Sequence, residues 1–287
     1  MNCSSCPRNC QIDRENVSGF CGVGKNLTLA KATLHWGEEP ILSSGKGSGA
    51  IFFSGCNLRC VYCQNYKVSR GFGKEISIKR LSEIFKELED LGANNINLVT
   101  PTHFIDQILQ AFELYKPQIP IVYNSSGYEK VESLKRLEGI VDIYLPDFKY
   151  SDNMLAQKYS KCPNYVETAK NAILEMRRQT KDVVVDGLMK SGLIIRHLML
   201  PNAIDNTLGV IDWINENFSK DTYISLMGQY IPYGDSFKFE ELKRKIKPIE
   251  YKIAINRLYN YGFLNSFVQD LDSAQTTFIP EFNLDGV

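Results

Sequence analysis

The chain has 287 residues, of which 44% are hydrophobic and 23% are charged, and these are ordinary values for a globular protein. Lys and Arg together number 33, as do Asp and Glu, so bulk charge gives no reason to expect a nucleic acid or a membrane surface as partner. We also expect neither a membrane span nor a secretory signal, because no apolar run is long enough for the first and residues 1–6 lack the basic start and apolar core of the second.

The first part of the chain, residues 1–49, is rich in cysteine. Seven of the eight cysteines precede residue 64, which favours metal binding in a reducing compartment, the cytoplasm, over a disulfide framework. Cys3, Cys6, Cys10 and Cys21 have the spacing C-x2-C-x3-C-x10-C. Four thiolates can hold a structural zinc or an auxiliary iron–sulfur cluster, and the spacing does not decide between them. Unligated thiols in a loose segment are the alternative.

A short strand is predicted next, at residues 27–31, and it is followed by His35, Glu38 and Glu39. One histidine beside two carboxylates can form a catalytic cluster. It can equally be a turn whose charges face water or hold the segment against the rest of the protein. The glycine-rich residues 45–49 predict a flexible turn, because they lack the full phosphate-loop pattern.

The most informative stretch is residues 55–65, where Cys56, Cys60 and Cys63 follow the apolar run 50–54 at a C-x3-C-x2-C spacing. A loop of this length can point three thiolates at one centre. Iron–sulfur clusters are usually held by four thiolates, so three would leave one iron open to a small molecule. Common zinc patterns instead pair separated knuckles or use histidine.

From residue 50 onward, strands and helices alternate. Buried strands are predicted at 50–54, 95–100, 119–123, 141–146, 193–200 and 222–227, and helices at 78–91, 104–115, 128–138, 164–180 and 204–218. Six such units predict an α/β fold with a parallel sheet that curls into a partial (β/α)6, TIM-like barrel, preceded by the small Cys-rich metal-binding segment. We assign residues 1–49 to that segment, 50–235 to the barrel and 236–287 to a closing segment.

The closing segment is expected to be helical at 237–246 and 249–262, with Gly262 as the stop, and to form a further strand within 263–268. Residues 270–287 are predicted to be a surface tail or a lid over the site.

Reactive groups of such barrels lie at the carboxyl ends of the strands, and polar residues follow several of the predicted strands here. Thr100 and Thr102 offer hydroxyl acceptors, although Thr102 is also a good helix N-cap. Asn124 and Ser125 form a polar turn after the third strand, and Gln229 follows the sixth.

Asp147 and Lys149 follow the fourth strand, and side chains two residues apart in an extended chain point the same way. The lysine can pair with a ligand carboxylate while Asp147 orients it, or the two can form a plain surface ion pair. His197 lies in the fifth strand, where a lone histidine is usually a core residue. Cys162 stands alone and is expected to be an incidental thiol.

The cysteine loop, with Tyr62 before its last cysteine, resembles that of the radical S-adenosylmethionine (SAM) superfamily. The order of Cys-Pro-Arg-x-Cys, Glu-Glu-Pro, Thr-Pro-Thr-His, Asp-Phe-Lys and Gln-Tyr-x-Pro is similar to that of homologues of pyruvate formate-lyase activating enzyme. The resemblance implies a [4Fe-4S] cluster on Cys56, Cys60 and Cys63 and a SAM molecule bound to the open iron.

The residues expected to contact SAM are Tyr62, Asn65, Thr100, Thr102, Asn124, Ser125, Asp147, Lys149, His197 and Gln229. Of these, Asp147 and Lys149 match the Asp-x-Lys motif of the activases, and His197 aligns with a histidine that lies beside SAM in that family. Two departures stand out. Thr100–Thr102 replaces the usual Gly-Gly-Glu-like turn, and Asn124 replaces an Asp of the activases, which changes the local charge and puts any cation site there in doubt.

Three functions are therefore considered. The first is an activase-like enzyme that cleaves SAM to a 5′-deoxyadenosyl radical and removes hydrogen from a protein or peptide, such as a glycyl radical enzyme, with flavodoxin or ferredoxin as reductant. The second applies the same chemistry to a small molecule. The third is a non-enzymatic metal or electron-transfer protein.

Overall fold

The computed structural model describes residues 3–273 and 280–287. Ten strands of the described chain join one mixed sheet. Their bounds are β1 (Thr28–His35), β2 (Ser48–Phe53), β3 (Lys74–Glu75), β4 (Ile96–Val99), β5 (Ile121–Ser125), β6 (Ile143–Pro146), β7 (Val183–Val185), β8 (Leu188–Leu198), β9 (Tyr223–Met227) and β10 (Ser266–Val268).

The α-helices of the same residues are α1 (Pro40–Ser43), α2 (Tyr66–Ser69), α3 (Ile78–Asp90), α4 (Ile105–Leu114), α5 (Val131–Lys135), α6 (Asn153–Ser160), α7 (Tyr165–Gln179), α8 (Ile204–Asn217) and α9 (Pro248–Tyr261).

The centre of the sheet is parallel and runs in the order β2-β4-β5-β6-β8-β9-β10. Helices connect successive parallel strands, as such crossovers require. The predicted partial barrel of parallel strands is therefore confirmed. All six predicted strands are present, and each observed strand begins or ends within a few residues of its prediction.

The N-terminal segment adds the antiparallel strand β1 at one edge of the same sheet, and the short β3 lies beyond it. β1 pairs with β2 and also with β3. The residue-49 boundary predicted between segment and barrel thus falls inside β2, and the segment shares the barrel's sheet. At the other side, β7 and β8 form an antiparallel hairpin that the sequence analysis did not anticipate.

Helix α3 illustrates why these residues fold as they do. Ser77 caps its first turn by accepting a hydrogen bond from the N–H of Arg80, and Leu81, Phe85 and Leu88 form a buried stripe at helical spacing. The stripe packs into the main hydrophobic core, together with sheet residues such as Ile51. This core holds the strand ends, and hence the loops after them, in place.

The closing segment differs in part from prediction. Residues 234–238 and 240–242 form short 3-10 turns where a helix was predicted over 237–246. The second predicted helix is confirmed as α9, and it stops at Gly262, whose φ of +77° is the left-handed conformation that glycine adopts readily.

Candidate functional site

A cavity of about 260 Å³ lies at the carboxyl ends of the parallel strands. Its walls come from the loops after β2, β4, β5 and β6 and from the ends of β8 and β9, so residues far apart in sequence meet there. The chemistry-bearing residues that line it are Cys56, Cys60, Cys63, Thr100, Asn124, Asp147, Lys149, Arg196 and Gln229. The site therefore occupies the edge of the sheet where barrels of this kind place reactive groups.

The cysteine loop begins with a sharp turn at Gly55, whose φ is +86°. A Cβ atom there would lie 2.6 Å from the carbonyl oxygen of Cys21, so glycine is needed for the N-terminal segment to approach. The N–H of Cys56 donates to that same oxygen over 3.1 Å. On the other side, the amide of Asn57 donates to the carbonyl of Tyr128 over 2.8 Å. The loop is thus held from both sides by protein contacts alone.

The three thiols of this loop interact electrostatically with one another. Burial, followed by the neighbouring Cys60 and Cys56, raises the pKa of Cys63 to about 12. Burial also raises the pKa of Cys60, and the nearby charge of Lys149 offsets part of that rise. Cys60 and Cys63 are therefore neutral thiols in the absence of a compensating cation, and a bound metal centre would stabilise their thiolate forms.

Three cysteines of one short loop, Cys56, Cys60 and Cys63, line the same cavity. Thiolates are the usual ligands of iron–sulfur clusters, and three of them leave one iron open to a further ligand. Within residues 3–273 and 280–287, no three His, Cys, Asp or Glu side chains are drawn together as a single-ion site. By its chemistry the donor set fits a [4Fe-4S] cluster.

Asp147 and Lys149 point the same way, as their spacing predicts. Lys149 Nζ lies 2.6 Å from Asp147 Oδ2, both side chains line the cavity, and Phe148 between them is fully buried in the core. Burial alone would raise the pKa of Asp147, but the charges of Arg196 and Lys149 outweigh it and lower that pKa. The ammonium has three donors, so a ligand carboxylate can still bind it.

Arg196 joins the acidic groups of the site into one network. Its Nε donates to Asp147 Oδ1 over 2.9 Å, one terminal nitrogen donates to Glu38 Oε2 over 3.0 Å, and the other donates to Asn124 Oδ1 over 2.6 Å. Glu38 Oε1 in turn accepts from the amides of Asn97 and Asn124. Each of the three guanidinium nitrogens thus donates one hydrogen bond within the network, which helps to fix the position of Asp147.

Most of the predicted SAM contacts line this cavity, namely Tyr62, Asn65, Thr100, Asn124, Ser125, Asp147, Lys149 and Gln229. Thr100 has a φ of +62°, which is a rare conformation for a β-branched residue. Its N–H donates to the carbonyl of Asn124 over 2.8 Å, so the neighbouring strand end stabilises the strained turn. Such strain is most often found at functional sites.

Thr102 and His197 lie away from the cavity wall. Thr102 Oγ1 donates to Glu129 Oε1 over 2.7 Å, in the buried space behind Ser125. His197 Nδ1 bonds the carbonyl of Phe148 over 2.7 Å, and its Nε2 bonds Thr207 Oγ1 over 3.0 Å. Contact between His197 and a ligand in the cavity would require both bonds to be given up.

Strand alternation explains this difference from the prediction. Neighbouring residues of a strand face opposite sides, and on β8 it is Arg196 and Leu198 that line the cavity. His197 consequently faces the helix side, where burial lowers its pKa to about 4 and keeps it neutral. His197 is therefore linked to the site by its hydrogen bond to the Phe148 carbonyl and by charge interactions with Lys149 and Asp147.

The sequence analysis did not single out Arg196 as a site residue. The sequence did hold a clue, because Arg196 is a charged residue inside a predicted buried strand. Such a residue needs compensating charges near it. His35 and Glu38 also line the cavity. The hydrogen bond from Arg196 to Glu38 also ties the N-terminal segment to β8. Glu39 is buried instead, and burial raises its pKa. His103 is buried too, with Nε2 bonded to the carbonyl of Ser54.

The four N-terminal cysteines are neighbours, but they do not form a compact metal site. Cys10 Sγ and Cys21 Sγ both approach Gly19, at 3.8 and 3.4 Å from the position that its Cβ would take. Burial, with small contributions from Cys21 and Cys10, raises the pKa of Cys6 to about 12. Among the described side chains no group of three is drawn together as a single-ion site, so the predicted second metal centre on Cys3, Cys6, Cys10 and Cys21, zinc or iron–sulfur, gains no support from the structure.

The tail approaches the cavity from the β1 edge. Pro280 lines the cavity, and the Phe282 ring packs on Phe52 at a centroid distance of 5.3 Å. The carbonyl of Asp285 accepts from the N–H of Ala32. The predicted tail or lid includes residues 274–279, which lie outside the described residues. Among the described residues, no helix has the length and hydropathy needed to cross a membrane.

Comparison with known proteins identifies the family and one relative of this chain. Residues 50–191 match the family model described as the radical SAM superfamily. The uncharacterized protein MJ0674 of Methanocaldococcus jannaschii is 32% identical over 276 residues, which cover 92% of this chain and 76% of that protein.

Solved structures show the same fold at low sequence identity. The maturase of the [FeFe]-hydrogenase, HydG, matches with a TM-score of 0.52 at 13% identity, over 80% of this chain and 53% of that one. SuiB of Streptococcus suis bound to its precursor peptide SuiA matches with a TM-score of 0.50 at 16% identity, over 76% of this chain and 48% of that one. The chain thus spans about half the length of these two structures.

Proposed function

The chain belongs to the radical SAM superfamily, and from that premise we propose that it is an activase-like radical SAM enzyme that removes a hydrogen atom from a protein or peptide. A [4Fe-4S] cluster with bound SAM would supply the chemistry, since one electron passed to SAM releases methionine and a 5′-deoxyadenosyl radical that abstracts hydrogen. The reductant would be a low-potential carrier such as flavodoxin or ferredoxin, in a reducing compartment such as the cytoplasm.

The observation that carries the proposal is that three cysteines and the Asp147–Lys149 pair line one cavity. Cys56, Cys60 and Cys63 would hold the cluster. Lys149 would bind the carboxylate of SAM with the donors that Asp147 leaves free. Arg196 would keep Asp147 in place and ionised.

The remaining lining residues would complete the binding of SAM. Asn124, Ser125 and Thr100 offer acceptors at two neighbouring strand ends, where an ammonium group can be held. The aromatic and amide groups of Tyr62, Asn65 and Gln229 would contact the nucleoside. His197 and Thr102 would act from behind the wall, by fixing Phe148 and Glu129.

A polypeptide substrate is proposed by analogy with the activases and with SuiB, which was solved with a precursor peptide. The likeness to SuiB extends to the fold alone, so the substrate class rests on analogy. A small molecule is the second candidate, and one observation favours it. Pro280 lines the cavity, so the tail reaches the mouth through which a large substrate would enter.

The test is anaerobic reconstitution of the protein with iron and sulfide, followed by addition of SAM and dithionite. We expect 5′-deoxyadenosine from the wild type and none from Cys63→Ala, which lacks one cluster ligand. An intact cluster without SAM cleavage would contradict the proposal, and a cluster that has no affinity for SAM would favour the non-enzymatic function. The two substrate classes are separated by adding either the protein fraction or the small-molecule fraction of a cell extract. The fraction that speeds the formation of 5′-deoxyadenosine contains the substrate.

We also propose that Cys3, Cys6, Cys10 and Cys21 bind a second metal under reducing conditions. The spacing of the four cysteines and the closeness of Cys10 and Cys21 to Gly19 support this proposal, and metal binding would draw the four side chains together. Metal analysis of the double variant Cys3→Ala/Cys6→Ala tests it. Loss of one metal equivalent with the [4Fe-4S] content intact is expected, and unchanged metal content would exclude the second centre.

A further inference from the structure

A chain of three hydroxyl groups ends on the sulfur of Cys60. Ser160 Oγ lies 2.9 Å from Cys60 Sγ, Tyr150 Oη lies 2.7 Å from Ser160 Oγ, and Tyr62 Oη lies 2.7 Å from Tyr150 Oη. Ser160 and Tyr150 are fully buried, and Tyr62 and Cys60 are nearly so. These contacts join groups that are up to 100 residues apart in the sequence.

The proton positions of this chain follow from the chemistry of its last member. A thiolate that binds iron has no proton, so it can only accept a hydrogen bond. Ser160 must then donate to Cys60, which leaves its oxygen to accept from Tyr150. By the same argument Tyr150 accepts from Tyr62. All three O–H bonds therefore point towards the sulfur, and such chains polarise one another in a buried site.

Contacts other than the Ser160–Cys60 hydrogen bond hold Ser160 at this position. It is the last residue of α6, and Lys161 ends the helix in the left-handed conformation. The carbonyl of the preceding Tyr159 accepts from the N–H of Val61 over 2.9 Å, which ties the helix end to the cysteine loop. Arg8 donates to the carbonyls of Asn57 and Lys161 at 2.7 and 2.6 Å, so it fastens the loop and the helix end together.

We propose that Ser160, supported by Tyr150 and Tyr62, is a positioning residue that raises the reduction potential of the cluster through its hydrogen bond to the Cys60 thiolate. The inference rests on the proposed function, because it requires a cluster on Cys60. One-electron reduction of a [4Fe-4S]2+ cluster to the 1+ state adds negative charge that spreads onto the thiolates. A donor hydrogen bond stabilises that charge, and hydrogen bonds to the sulfurs are among the features that set such potentials.

The experiment is a redox titration of the reconstituted cluster with dithionite as electron source, followed by electron paramagnetic resonance without SAM. In Ser160→Ala we expect the ratio of reduced to oxidised cluster at a fixed potential to fall by up to about tenfold, which is about 59 mV for a one-electron couple. Ser160→Thr keeps the hydroxyl and should stay close to the wild type. Ser82→Ala is the matched control, because Ser82 is a buried helical serine that bonds only the carbonyl of Lys79.

Each outcome separates this inference from the proposed function. A cluster that forms but has the same potential in Ser160→Ala and in the wild type would overturn the inference alone. A wild type that binds no cluster would overturn both. If Ser160→Ala loses its cluster, Tyr150→Phe is titrated instead. That variant should show a smaller shift in the same direction, and no shift there would overturn the inference.

Discussion

Arg196 Nε lies 2.9 Å from Asp147 Oδ1, across the ends of the adjacent parallel strands β8 and β6. The two side chains are only 13% and 16% exposed, and the same guanidinium also pairs with Glu38. A single buried cation thus compensates two carboxylates at the edge of the cavity. The removal of one partner from such a group costs far more than the loss of a surface pair.

The first prediction concerns Arg196→Met. Because Glu38 loses its counter-charge and Asp147 loses one of two, we expect the free energy of unfolding to fall by about 3–5 kcal/mol at neutral pH in urea denaturation. Arg136→Met is the control, since Arg136 pairs with Asp106 at the surface and should cost at most about 1 kcal/mol. Equal losses in the two variants would contradict the argument.

The stability difference between the wild type and Arg196→Met should depend on pH, because the pKa of Asp147 is lowered in the folded protein. A group with a depressed folded-state pKa adds stability that is present above its unfolded pKa and is lost as the pH falls through the folded value. The stability difference between the wild type and Arg196→Met should therefore shrink below about pH 4. A difference that grows on acidification would be inconsistent with this account.

The second prediction concerns Lys149→Met. Loss of a charge-assisted hydrogen bond to the SAM carboxylate should weaken SAM binding by about tenfold to hundredfold, with the iron content unchanged. Equilibrium dialysis against the reconstituted protein measures the affinity. Lys252→Met, an exposed position of α9, should bind SAM as the wild type does. Unchanged affinity in Lys149→Met would exclude the assigned pairing.

The third prediction compares two glycines in the same backbone conformation. Gly127 and Gly139 have φ values of +74° and +78°, but a Cβ at Gly127 would lie 2.5 Å from the carbonyl oxygen of Asp147, whereas at Gly139 it would meet nothing within 4 Å. Gly139→Ala should lower the free energy of unfolding by about 1 kcal/mol, because alanine adopts the left-handed conformation less readily than glycine. Gly127→Ala should cost about 1–3 kcal/mol more through overpacking. Equal midpoints of urea denaturation would refute the close approach of Asp147.

The fourth prediction concerns Glu129, which is buried and accepts from Thr102 and Tyr123. Burial raises its pKa to about 7. The folded state therefore binds the proton more tightly than the unfolded state, and stability should decline from about pH 4.5 to about pH 7 by up to about 3 kcal/mol.

Glu129→Gln should remove that part of the pH dependence, as measured by thermal unfolding across this range. Glu132→Gln, an exposed change in the first turn of α5, should leave the profile as it is in the wild type. If the slope persisted in Glu129→Gln, another group would have to be responsible for it.

The strands and the cysteine loop were predictable because both are local patterns. An apolar run such as Ile96–Val99 needs only its own residues to indicate a buried strand, and C-x3-C-x2-C needs only eight. The helix predicted over 237–246 failed because the described chain forms 3-10 turns there that pack by tertiary contact, with Leu242 buried. Propensity is easily overridden by such contacts.

The candidate site was predictable only where its partners are close in sequence. Asp147 and Lys149 are two residues apart, and their pairing follows from strand geometry. Arg196 meets Glu38 across 158 residues, and Ser160 meets Cys60 across 100. No periodicity carries that information. Sequence alone could not place His197 for a related reason, since the face of β8 that turns inward is set by its register with β6 and β9.

The hydrogen bond from the Cys56 N–H to the Cys21 carbonyl has a consequence for how this protein can be divided. The barrel holds one side of the cysteine loop through Tyr128 and Tyr159, but the contact at the start of the loop comes from residues that precede the first strand. A shortened protein that starts at β2 would keep Cys56, Cys60 and Cys63 and yet lose that contact. The N-terminal segment and the barrel should therefore be kept together in any shortened or grafted version.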